Sequence, residues 1–113
     1  MKIKEKTYGD IQVISLEGDL IGEPDVSLVK SAIQGLLEGG IGKKIVLDLA
    51  NVRCINSSGL GILLVLLNSL KKRGGELCLA RMNDHVESLF MVTHLARVFR
   101  MYESLKRAVS SFN

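Results

Sequence analysis

Tryptophan is absent from this chain of 113 residues, proline occurs once, and the aromatics are two tyrosines and three phenylalanines. Without a basic stripe interleaved with aromatic residues there is no platform on which bases would stack. The mild net charge of +3 supplies little field, so no nucleic-acid partner is expected. Cysteine is scarce as well. Cys54 and Cys78 fall near the end of one predicted strand and inside another, a pattern of isolated buried thiols and not of a disulfide or a metal pair. His85 and His94 stand nine residues apart with no set of metal ligands around them, and no metal or other cofactor is expected. Long hydrophobic runs are missing too. The longest, Leu60 to Leu67 broken by Gly61, is eight residues, whereas a spanning helix needs about 20. At the start of the chain Lys2, Lys4, Glu5 and Lys6 interrupt the apolar residues, so no leader peptide is expected. The expectation is a cytoplasmic protein without a membrane partner.

What is present is a globular composition, 47% hydrophobic and 24% charged. At this length it points to a single domain over residues 1–113, able to bury most of itself around one core. Ile3 to Lys6 and Ile11 to Glu17 read as strands joined at Tyr8-Gly9-Asp10. Glu23-Pro24-Asp25 opens a helix with proline in its first turn and acids at its positive end, and Val26, Val29, Ile33, Leu36 and Leu37 recur at helical spacing. Gly39-Gly40 stops it. The segment Gly39-Gly40-Ile41-Gly42-Lys43-Lys44 superficially suggests a phosphate loop. Leu37 stands where such a loop needs its first glycine, and the segment joins a helix to a strand where the motif requires the reverse. It reads as a helix end and a turn.

Ile45 to Ala50 is nearly all apolar, as in a strand covered on both faces. A helix follows from about Ser58 to Lys72, apolar around most of its circumference and ended by Gly74-Gly75. Glu76 to Arg81 reads as a strand, Asp84 to Thr93 as a helix, Val98-Phe99 as a short edge strand and Tyr102 to Phe112 as a last helix. No repeat or low-complexity segment appears. The order implies an α/β fold: a mixed sheet of four to five strands with about four helices packed mainly on one face.

The most informative stretch is Asn56-Ser57-Ser58-Gly59-Leu60-Gly61, between the buried strand and the apolar helix. Hydroxyls in the first turn of a helix sit where unpaired N–H groups and the positive end of the dipole converge, a favourable place for a phosphate. Serine is also a preferred N-cap, so the residues alone leave capping and phosphate carriage both open. Chemistry of the chain's own is not expected. Asn56 stands where a nucleophile elbow centred on Ser58 needs glycine, and no base is placed beside the hydroxyl. Asp48 could face the same end of the sheet, or bond to the loop that follows it.

Gly18-Asp19-Leu20-Ile21, Leu47-Asp48-Leu49, the Ser-Ser-Gly-Leu-Gly helix opening and the Gly-Gly-Glu-Leu turn together resemble the STAS domain, and within it the bacterial anti-sigma-factor antagonists. The resemblance implies the STAS fold and a non-enzymatic, phosphorylation-switched binding module. Unphosphorylated, such a module binds an anti-sigma factor that is also a serine protein kinase; phosphorylation breaks the complex, and a PP2C-type phosphatase resets it. Matched residue by residue, the acceptor is Ser58, with Ser57 the alternative. The partner surface is implied to combine Asn56, Ser57, Ser58, Gly59, Leu60 and Gly61 with Asp19 and Glu23 of the loop before the first helix. Scaffold roles, as a stressosome-type subunit or the STAS subunit of a phospholipid transporter, are the alternative the same resemblance leaves. The family motif usually has aspartate where this chain has Asn56. The two side chains are near-isosteric and both can cap, so the exchange is expected to keep the turn and remove one negative charge.

Overall fold

The computed structural model describes residues 1–40 and 43–112. Five strands form one sheet in the order β1 (Lys2–Tyr8), β2 (Ile11–Glu17), β3 (Lys44–Asn51), β4 (Glu76–Ala80) and β5 (Arg100–Tyr102). The first two make an antiparallel hairpin; every later neighbour is parallel. Gly9, with φ of +62°, takes the left-handed corner of the hairpin turn, a conformation glycine adopts without penalty.

Three helices, α1 (Asp25–Glu38), α2 (Ser57–Lys72) and α3 (Asp84–Val92), cover one face of the sheet, and α4 (Leu105–Ser110) sits alone on the other. The periodicity of β3 shows why both faces must be covered. Ile45, Leu47 and Leu49 point into the cluster under α1 to α3, while Val46 joins Ile11, Val13, Cys78 and Ala80 beneath Ala108 of α4. Helix α2 owes its apolar girth to burial: Leu63, Leu66 and Leu70 are inaccessible to solvent, and Val65 and Asn68 remain on its outer side. The basic residues of its last turn, Lys71 and Lys72, oppose the negative end of its dipole.

Two elements differ from expectation. Val98-Phe99 is not the edge strand. Phe99 turns inward to meet Phe90 edge-on, 5.6 Å between ring centres, and the chain reaches it through a short 3₁₀ turn over Leu95–Arg97. The edge strand comes directly after, at Arg100–Tyr102. The last helix is shorter than its apolar spacing suggested because Ser104 caps it, its hydroxyl accepting from the Arg107 N–H at 3.1 Å. Glycine 39 and Gly40 do end α1, Gly40 in the left-handed region at φ +77°; the middle of the Gly39–Lys44 turn lies outside the described residues. Both cysteines are free, Cys78 buried with its thiol pushed up to about 11 by desolvation, and Cys54 only half-buried.

Candidate functional site

At the carboxyl end of β3 the chain makes a second, looser contact with the strand beside it. After a register shift past Ser15, Leu20 bridges to Ile55 in parallel, Leu20 N–H donates to the Cys54 carbonyl at 3.0 Å, and Asn56 N–H donates to the Leu20 carbonyl at 3.3 Å. The Gly18–Glu23 loop therefore lies directly against the start of α2.

Asn56 is the N-cap of that helix. Its Oδ1 accepts from the Gly59 N–H at 3.1 Å, and its carbonyl accepts from the Leu60 N–H at 2.9 Å. Capping is thus done by the asparagine and not by either serine. Ser57 and Ser58 are exposed, with the N–H groups of the first turn beneath them and no acidic residue in that turn. The asparagine does more than cap. Its Nδ2 donates to the Ile21 carbonyl at 2.8 Å. An aspartate could accept from Gly59 in the same way, but an ionised carboxylate has no proton for this second bond.

The two motif glycines separate. A Cβ on Gly59 would lie 2.3 Å from the Leu20 carbonyl oxygen and 2.7 Å from Ile55 Cγ2, so this glycine is required for the loop to rest on the helix. A Cβ on Gly61 would meet nothing within 4 Å. Leu60 is also turned inward and belongs to the core under the sheet. Of the residues implied to contact a partner, Gly59 and Leu60 are therefore occupied by packing, and the outward surface of the motif narrows to Asn56, Ser57, Ser58 and Gly61.

The two loop acids are placed differently. Asp19 accepts from Arg53 at both oxygens, Nε at 3.3 Å and Nη2 at 3.0 Å, and the Arg53 guanidinium beside it holds its carboxyl below the usual range. Glu23 is turned back onto α1, accepting from the Ser27 N–H at 2.8 Å and from the Ser27 hydroxyl.

Deeper in the same end of the sheet lies Asp48, 3% exposed. Its Oδ1 accepts from Arg81 Nε at 3.0 Å and from the Ala50 N–H at 3.1 Å, and its Oδ2 accepts from the Ser15 hydroxyl at 3.0 Å and from the second Arg81 nitrogen. Burial pushes this carboxyl up, but those hydrogen bonds outweigh it and hold the group below its ordinary value. Arg81 reaches the acid from a left-handed backbone at φ +60°. Asp48 is thus a structural acid, its oxygens engaged from two strands and a loop. A lone aspartate in a run of aliphatics was the sequence signal that something polar faced it; nothing in the spacing named Arg81.

A cavity of about 600 Å³, bordered by Thr7, Asp10, Gln12, Lys43, Lys44 and Glu76, opens at the opposite end of the sheet, where β3 and β4 begin. Ser57 and Ser58 instead stand on open surface. Among the described residues no group of three or more His, Cys, Asp or Glu could hold a metal ion, and no helix is long and apolar enough to cross a membrane.

The sequence model of the STAS domain matches residues 2–108. A Thermotoga maritima protein named as a candidate anti-sigma factor antagonist is 33% identical over 66 residues, a stretch that covers 58% of each chain. The crystal structure of a candidate anti-sigma factor antagonist from the same organism superposes with a TM-score of 0.88 at 26% identity, covering 96% of this chain and 92% of that one. The Bacillus cell-fate determinant SpoIIAA, in its phosphorylated form, superposes with a TM-score of 0.77 at 18% identity, covering 99% of this chain and all of that one. This last likeness is one of fold.

Proposed function

The chain belongs to the STAS domain family, and we propose that it is an anti-sigma-factor antagonist switched by phosphorylation of Ser58. The observation that carries this reading is the division of labour at the start of α2: Asn56 satisfies the cap, and the two hydroxyls are left on the surface. A serine needed for capping could not be modified without cost to the helix. A serine spared from it can.

Electrostatics permits both states of the switch. A phosphate carries roughly −1.5 to −2 charges at pH 7, and the positive end of α2 tolerates it without unfolding the turn. A partner packed against a neutral hydroxyl meets repulsion and a desolvation cost instead. The kinase and its Mg²⁺ supply positioning and charge stabilisation for phosphoryl transfer, so this chain need offer only the hydroxyl. In this reading the partner is an anti-sigma factor with serine kinase activity, and a PP2C-type phosphatase restores the binding form. The surface it meets is the Ser57–Ser58 turn, Gly61 and the outer side of α2, with the Asp19–Ile21 loop alongside.

The test has two arms. Phosphopeptide mapping after incubation with the cognate kinase finds the label on Ser58; label confined to Ser57 moves the site by one residue, and label on a distant serine such as Ser88 removes the assignment. Ser58→Asp weakens kinase binding by more than about tenfold, or 1.4 kcal/mol, with an unchanged circular dichroism spectrum. Equal affinity of the two proteins removes the switch. Recovery of a transporter ATPase in place of a kinase from the native organism would favour a scaffold role.

A further inference from the structure

We propose that Asn56 is the positioning residue of the acceptor turn, its carboxamide binding the start of α2 to the Leu20–Ile21 segment so that hydroxyls and loop face a partner as one surface. The inference deepens the reading above and rests on it for its functional half.

A carboxamide accepts at one end and donates at the other, whereas an ionised carboxylate only accepts. Asn56 uses both ends of its side chain at once: Oδ1 accepts from Gly59 N–H, and Nδ2 donates to the Ile21 carbonyl at 2.8 Å. Its main chain repeats the pairing, N–H to the Leu20 carbonyl and carbonyl from the Leu60 N–H. One residue thus stitches a loop 35 positions earlier in the chain to the first turn of the helix. Gly59 completes the arrangement, because any side chain there would strike the Leu20 carbonyl. An ionised aspartate at position 56 keeps the cap. It also sets an acceptor oxygen against the Ile21 carbonyl oxygen, replacing an attraction with a repulsion. Asparagine at this position therefore adds a tie to the loop that an aspartate does not make, and is not merely an acid that has lost its charge. Ser57 and Ser58 follow directly on the residue so held, which links the loop to the orientation of the hydroxyls.

Hydrogen exchange followed by NMR tests the structural half without any kinase. In Asn56→Asp the Gly59 amide stays protected, because the cap survives, and the Ile45–Leu47 amides are unchanged, because the fold survives. The amides of Leu20 and of residue 56, which pair the loop with the helix start, exchange at least about fivefold faster. In Asn56→Ala the Gly59 amide accelerates as well. Unchanged exchange at Leu20 and residue 56 in the aspartate variant overturns the proposal. The functional half is read by phosphoryl transfer from the cognate kinase to each protein: kcat for Asn56→Asp falls at least about fivefold, a change in orientation that a purely stabilising residue would not produce in a folded variant. Faster exchange with transfer at the wild-type rate or above it overturns the positioning role. Absence of transfer to wild type and variant alike would instead count against the switch itself, and the exchange measurement would still decide whether Asn56 joins loop to helix.

Discussion

The carboxyl end of the sheet has an inner and an outer layer built from the same parts. Each contains an aspartate gripped by an arginine, and each contains one glycine of the Ser-Ser-Gly-Leu-Gly motif. Inside are Asp48 with Arg81, and Gly59; outside are Asp19 with Arg53, and Gly61. The inner acid is buried and also engaged by Ser15 and Ala50, whereas the outer acid keeps a quarter of its side chain in solvent and its arginine is 85% exposed against 43% for Arg81. The inner glycine is pressed against a backbone carbonyl; the outer one faces open space. The same pairing of groups is thus sealed into the fold in one layer and left open to solvent in the other.

The largest loss is expected at Asp48. Asp48→Ala removes the acceptor for Arg81, Ser15 and the Ala50 N–H together. A buried pair with both ends sealed would cost 3–5 kcal/mol when broken; because Arg81 keeps water on one side, the expected loss is about 2–3 kcal/mol in urea unfolding. The loss has a defined pH dependence. A carboxyl held below its ordinary value of about 3.9 contributes stability that is fully present above that value and disappears as pH falls through the lowered one. Wild type and variant should therefore differ by a constant amount from about pH 5 to 8, and the gap should begin to narrow only below about pH 4, closing as pH falls through the lowered value. A gap that persists undiminished in acid would show that the role of Asp48 does not depend on its charge.

The two glycines should respond oppositely although they stand two residues apart. Gly59→Ala strikes both the Leu20 carbonyl and the Ile55 side chain, and overpacking of this kind costs about 1–3 kcal/mol. Gly61→Ala has room and lies inside a helix, where alanine is favoured by roughly 0.5–1 kcal/mol. Thermal unfolding should move in opposite directions for the two variants. Downward shifts in both would mean that Gly61 is also packed.

How much of this end was legible in the chain follows from the same layering. The first four strands and the three large helices could be read because apolar periodicity and Gly-Gly stops act over a few neighbouring residues. Val98-Phe99 misled for a physical reason: a β-branched residue beside an aromatic suits a strand, yet tertiary packing used Phe99 as a plug against Phe90 and moved the strand to Arg100. Asn56 could be recognised as a cap from its place before the helix. Its bond to Ile21, like that of Asp48 to Arg81, joins residues more than 30 positions apart, and no local pattern names such a partner. Leu60 was legible as apolar but not as inward-facing, because a helix apolar on most sides does not announce which side is outermost.

The smallest effect is expected at the outer pair. Arg53 spends most of its surface in water, so Asp19→Asn gives up an interaction that solvent and salt already screen. The melting temperature should not change measurably at physiological ionic strength. Binding is a different matter. Asp19 sits beside Leu20 and Ile21, in the loop that Asn56 draws against the helix, with a quarter of its side chain exposed and its carboxylate paired to the solvent-facing Arg53. Charges at the rim of an interface act chiefly through the association rate. If the loop belongs to the docking surface, Asp19→Asn changes kon for the partner kinase by about two- to tenfold, with a shallower salt dependence and little change in koff. A fall in thermal stability instead would place Asp19 in the inner layer, and an unaltered kon would remove the loop from the docking surface while leaving Ser58 its acceptor.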